Sequence, residues 1–195
     1  MKSNKLHIMF GLLLLGLFIA GCGTTQTTTE NNETEITSSI NTVQELVLTS
    51  QEIDELGLAL VEDSCRIEVY ETTEHSSLAE FSMCNYTIPR LDNTTLHIIL
   101  NKYTNTHDLN GSYQYSSLRL SSAAGIISED EFGDQSRFRK NHEDDYGAEH
   151  NDPDVHFYNM WITKDTFLIH ITTRGSEEAD AYVISIAETL MSKFE

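Results

Sequence analysis

Three histidines and six carboxylates crowd into the stretch from Asn141 to His156: His142, Glu143, Asp144, Asp145, Glu149, His150, Asp152, Asp154 and His156. Imidazole with carboxylate suits Zn²⁺, and carboxylates alone suit Ca²⁺. The candidate ligands are His142, Glu143, His150, Asp152 and His156, and a divalent ion is the one cofactor the sequence suggests. The spacing matches no established motif. His142-Glu143 lacks the second histidine of a His-Glu-x-x-His helix, and Asp152-Pro153-Asp154-Val155 lacks the glycine and closing glutamate of an EF-hand loop. The commoner reading is a solvated acidic loop between two strands. A connection longer than roughly a dozen residues without an element of its own is nonetheless often functional or disordered.

The other histidines, His75, His97, His107 and His170, are scattered. His97 and His170 fall within expected strands, where a hydrogen-bonded structural histidine is the usual finding. No Gly-x-Ser-x-Gly elbow frames a serine, and Gly133 and Gly147 stand alone rather than in a phosphate-binding loop. Paired acids such as Asp144-Asp145 lack the apolar surroundings that raise a carboxyl pKa. The expectation is therefore a non-catalytic domain, with a hydrolase the least favoured alternative. Tyr113, Tyr115, Tyr146, Tyr158 and Trp161 offer either a binding surface or core packing.

The N-terminus has Lys2 and Lys5, an apolar run from Ile8 to Ala20, and then Ile19-Ala20-Gly21-Cys22. The apolar run is short for a membrane span, which needs about 20 such residues, and reads as a secretory leader. Its ending resembles the lipobox of prokaryotic lipoproteins. The resemblance implies diacylglyceryl attachment to Cys22, cleavage before it, and acyl chains, palmitate among them, holding the protein in a cell membrane or outer membrane with its domain outside the cytoplasm. An exported chain then has two cysteines left, Cys65 and Cys84, which read as one disulfide.

The chain carries 31 acidic and 12 basic residues. Such a balance repels nucleic acid. The expected partners are the membrane, through the lipid, and an unknown envelope protein or small ligand. Residues 1–21 form the leader. Residues 22–45, rich in Thr, Asn, Glu, Gln and Ser, lack apolar periodicity and read as a tether. Residues 46–195 form a single domain.

Within it, Thr49-Ser50-Gln51-Glu52 has the form of a capping box, opening a helix with Ile53, Leu56, Gly57 and Leu60 on one face. Cys65–Tyr70 and Leu78–Tyr86 alternate and suggest a hairpin, with Ala79, Phe81 and Met83 on its apolar side. Pairing Cys65 with Cys84 would set Ile67 against Ser82 and Val69 against Glu80. That mixes apolar and polar faces, so a bulge, or a cysteine just outside the ladder, is expected there. Leu96–Tyr103 reads as a buried strand and 107–120 as a helix. Strands at 155–162 and 166–173 flank a turn at Lys164-Asp165. A last helix, capped by Ser176, carries Ala179, Val183, Ile186, Ala187, Leu190 and Phe194 on one stripe.

This order predicts an α+β fold, an antiparallel β-sheet with two or three helices packed on it. The run Glu131-Phe132-Gly133-Asp134-Gln135-Ser136, followed by Phe157 to Ile169 and a closing helix, resembles a pattern in exported prokaryotic lipoproteins, some with a PsbP-like fold. That resemblance implies architecture and no chemistry.

Overall fold

The computed structural model describes residues 40–73, 76–118, 125–141 and 155–195. Their elements are α1 (Val43–Leu46), α2 (Ser50–Glu55), β1 (Ala59–Leu60), β2 (Arg66–Val69), β3 (Leu78–Ile88), a 3₁₀ turn (Pro89–Leu91), β4 (Thr94–Tyr103), α3 (Thr106–Leu118), β5 (Ile126–Glu129), β6 (Gln135–Asn141), β7 (His156–Lys164), β8 (Phe167–Gly175) and α4 (Ala179–Ser192). One antiparallel sheet of 8 strands runs in the order β1-β3-β4-β8-β7-β6-β5, with β2 pairing beside β1 on β3. The expected architecture is what is observed.

One sheet face buries Cys84, Tyr86, Ile88, Leu96, Ile98, Leu100, Phe138, Tyr158, Met160, Ile162, Phe167, Ile169 and Ile171 against Val43 and Leu46 of α1 and the stripe of α4. Each aliphatic side chain so buried is worth about 1.5–3 kcal/mol. The ordered core thus begins inside the stretch expected to be tether, because Val43, at 0% exposure, has left water. The opposite face carries a smaller cluster of Leu109 and Tyr113 from α3 over Trp161 and Leu168. The central strand β8 is therefore buried on both sides.

The caps and turns follow local chemistry. Thr49 and Glu52 form the complete capping box. Glu52 also meets Lys193 Nζ at 2.9 Å, tying α2 to the end of α4. Here α2 stops at Glu55, short of the expected Leu60, because Gly57 adopts φ +66°, the left-handed conformation that ends a helix. Leu60 continues into β1. At the other end α4 starts at Ala179 without a side-chain cap. The Ser176 hydroxyl expected to cap it donates instead to Glu178 Oε2 at 2.5 Å. The last hairpin pairs Lys164 with Phe167, leaving Asp165 and Thr166 as the turn, with Asp165 at φ +53°.

Cys65 and Cys84 are joined, with Cα atoms 4.1 Å apart. The hairpin keeps the straight register, with Ile67 opposite Ser82 and Val69 opposite Glu80 and no bulge between them, and Cys65 stands just before β2, outside the ladder, which is one of the two expected arrangements. Here β2 is a short strand at the sheet margin, and Val69 is 79% exposed, so burial does not discipline its two faces. The core side of β3 is also the reverse of expectation. Ser82, Cys84, Tyr86 and Ile88 are buried, while Ala79, Phe81 and Met83 are half-buried on the other face.

Two strands fall where only irregular acidic chain was expected. In β6 the alternation is masked by arginines, and Arg139 is 2% exposed. The Gly133-Asp134 corner leading into β6 is a clamp. Gly133 sits at φ +60°, and a Cβ there would stand 2.3 Å from the Thr163 carbonyl oxygen. Asp134 accepts from the Asp165 amide at 2.8 Å and pairs with Lys164 at 3.2 Å, so this corner holds the β7–β8 turn.

Candidate functional site

Register places a row of polar side chains across the sheet face that α3 partly covers. Asn85 on β3 lies opposite His97 on β4, which lies opposite Thr172 on β8, which in turn lies opposite Asn159 on β7. The next row on that face holds Met83, Ile99, His170 and Trp161. Among the described residues, the one helix packed on this face is α3, over β4, β7 and β8. Asn85, His97, Asn159, His170 and Thr172 are half-buried.

Each histidine of this face is oriented by an asparagine. His97 Nδ1 lies 2.6 Å from Asn85 Oδ1, and His170 Nε2 lies 3.0 Å from Asn159 Oδ1. A carboxamide oxygen only accepts, so the ring N–H donates to it and fixes the tautomer. The second ring nitrogen of each then carries a lone pair. Trp161 stacks on His170 with centroids 4.7 Å apart and planes 7° from parallel. Burial holds His97 below the usual imidazole range. Burial, with His97 adding a like charge nearby, pushes His170 down to about 4. Both rings are neutral at pH 7.

Beside this row α3 ends over two arginines of β6. Arg137 Nη1 donates to Ser117 Oγ at 2.5 Å, stands 5.6 Å over the Tyr113 ring, and pairs with Glu129 at 2.7 Å. Arg139 Nη1 donates to the Ser117 carbonyl at 3.1 Å. Cations at a helix C-terminus satisfy its last carbonyls and complement its dipole. With no basic residue in α3's own last turn, β6 supplies them. These arginines are supports for α3 rather than ligand contacts.

Of the sequence-stated metal candidates, His142, Glu143, His150 and Asp152 lie outside the described residues, as does Cys22. His156 opens β7, where it is buried with its ring edge-on to Tyr158 at 6.0 Å. Among the described residues no group of three or more His, Cys, Asp or Glu side chains is placed to hold a metal ion. His107 lies on α3 beside an open groove with Asp108, Ser77 and Tyr103, and no other described histidine lines it. Of the expected aromatic surface, Tyr113, Tyr158 and Trp161 are buried, Tyr115 is exposed on α3, and Tyr146 lies outside the described residues. Sequence patterning missed Asn85 and Asn159. The available signal was their alternation in phase with His97 and His170, and it acquires meaning only once the strands are paired.

No helix among the described residues is long and apolar enough to cross a membrane. No family model matches the chain, and no curated protein matches it. Among solved structures, the extracellular domain of PknH from Mycobacterium tuberculosis is similar at 11% identity, covering 75% of this chain and 93% of that one with a TM-score of 0.43.

Proposed function

We propose that the chain is an exported lipoprotein, anchored through acylated Cys22, whose disulfide-bonded α+β domain binds a small ligand or partner without chemically changing it. The observation that carries the reading is the Cys65–Cys84 disulfide. Such bonds persist in oxidising compartments outside the cytoplasm. Pairing these two leaves Cys22 as the remaining thiol of the 3 in the chain, at the position where a lipid-attachment signature requires one.

The binding surface is the polar face formed by Asn85, His97, Asn159 and Thr172 with His170 of the next row. It offers neutral donors and acceptors over a support of buried aromatic side chains, the composition of a site that recognises shape and hydrogen bonding. Each histidine donates its ring N–H to a carboxamide and keeps its other nitrogen as an acceptor for a ligand.

Intact-mass and peptide mass spectrometry of the native membrane-bound protein tests the anchor. The expected result is an N-terminal peptide beginning at Cys22 with diacylglyceryl and acyl mass added, and a Cys65–Cys84 linked peptide. An unmodified Cys22 with the leader still attached would falsify the proposal.

A further inference from the structure

The chain has a formal charge of −19, so its cations are scarce. Among the described residues nearly all of them are engaged. Arg66 pairs with Glu68, Lys102 with Glu80, Arg137 with Glu129, Lys140 with Glu177, Lys164 with Asp134 and Lys193 with Glu52. Arg139 is buried beneath α3. Arg90 and Arg174 are the exceptions, and no described carboxylate lies within ion-pair distance of either. They are far apart in sequence, yet both line one cleft of about 520 Å³ at the end of the sheet.

The cleft is built by the β3–β4 connection and the β8–α4 connection. Arg90 stands on the 3₁₀ turn Pro89–Leu91. Arg174 stands near the end of β8, its guanidinium 5.2 Å over the Phe157 ring. A guanidinium over a ring keeps the N–H groups of its edge available for a ligand. Gly175 sits between the walls, where a Cβ would meet Thr94 Cγ2 at 2.8 Å, so the strands close up without a side chain filling the floor. Asp92 and Glu178 also line the cleft. Glu178 is occupied by the Ser176 hydroxyl, and Asp92 occupies the left-handed end of the turn at φ +50°.

From this arrangement we infer that the cleft between Arg90 and Arg174 is a binding site for a phosphoryl group. Two unpaired guanidinia, one on the 3₁₀ turn and one near the end of β8, call for an anion with oxygens in more than one plane. A tetrahedral phosphate presents a separate oxygen edge to each fork, whereas a planar carboxylate satisfies one fork bidentately and leaves the other. The volume falls within the range of small-ligand sites and exceeds what a bare phosphate needs, so the phosphate belongs to a larger molecule. Its source is a soluble phosphorylated compound or the headgroup of an anionic phospholipid. Arg174 stands on the sheet face of Thr172 and Asn159, one row beyond them, and the site does not depend on the lipid anchor.

The full chain in neutral-detergent micelles is titrated with inorganic phosphate, and separately with phosphatidylglycerol doped into the micelles, while the arginine Nε–H resonances are followed by NMR. The Arg90 and Arg174 signals are expected to shift saturably with phosphate. Arg90→Gln and Arg174→Gln are each expected to weaken binding at least about tenfold, as loss of a charge-assisted hydrogen bond does, while Arg66→Gln leaves it unchanged. Tighter binding of phosphatidylglycerol than of phosphate assigns the source to a headgroup, and the reverse assigns it to a soluble ligand. Two results overturn the inference. One is absence of saturable shifts at both arginines with either probe. The other is equal weakening by Arg66→Gln, the mark of diffuse charge attraction. Neither result touches the acylation of Cys22.

Discussion

His170 makes the folded state sensitive to acid, and the size of the effect follows from its surroundings. Burial against Trp161 and the nearby His97 ring lower its pKa from 6.5 to about 4. The unfolded chain therefore takes up a proton as pH falls through 6.5, and the native chain does so only near 4. Between those values the unfolded state binds more protons, so stability is full above pH 6.5 and drains away on acidification. By linkage, about 2.5 kcal/mol is lost between pH 7.5 and pH 4.5 from this residue alone. His170→Gln isolates the effect. Glutamine retains an amide N–H for Asn159 and cannot titrate. It forfeits the stacking on Trp161, about 1 kcal/mol at every pH. Urea unfolding at pH 7.5 and 4.5 should show the variant slightly weaker than wild type at the higher pH and equal or stronger at the lower. Groups that titrate in both proteins, such as Glu52 and His97, cancel in the difference to first order. Parallel loss of stability in the two proteins, within about 0.5 kcal/mol, would show that His170 is already solvated and would refute the reasoning.

Three further perturbations probe the frame. Replacing Cys65 with Ser and Cys84 with Ala opens a loop of sequence separation 19, and chain-entropy arguments put the loss at about 3 kcal/mol, measurable as a lower urea midpoint under non-reducing conditions. Gly133→Ala forces a Cβ against the Thr163 carbonyl at positive φ, so the β7–β8 corner must shift at a cost of roughly 1–3 kcal/mol, and hydrogen exchange should quicken at Asp134 and Asp165 while α3 is spared. Lys193→Met leaves Glu52 and the Val47 carbonyl without their cation, which should lower stability at pH 7 by about 1–3 kcal/mol. Burial opposes ionisation of Glu52, but the Thr49 amide and Lys193 outweigh it and hold its pKa low. The stability this carboxylate supplies is present above its unfolded value of 4.5 and lost as pH falls further, so the Lys193→Met deficit should shrink in acid.

The amino-acid order by itself determined what is local. The Thr49–Glu52 capping box, the α4 stripe from Ala179 to Phe194 and the alternation of β7 and β8 are each written within a few turns or one hairpin. Side-chain periodicity suffices there, because an element that buries one face must repeat apolar residues at its own period. From such elements the α+β class follows, as does the pairing of the two cysteines once an exported chain is granted. Tertiary structure decided the rest. The β2–β3 register is tolerated because a marginal strand leaves its mismatched face in water. Patterning passes over β6 because its buried positions are Ser136, Phe138 and Arg139, two of them polar, and the arginine is made acceptable by the open carbonyls at the end of α3, a helix remote in sequence. The same reason separates the two candidate sites from anything visible along the chain. His97 nears His170 across β4 and β8, and Arg90 of the 3₁₀ turn and Arg174 of β8 line one cleft at the end of the sheet. Neither pair has a spacing, because its members are brought to one place by strands that come together only when the core closes.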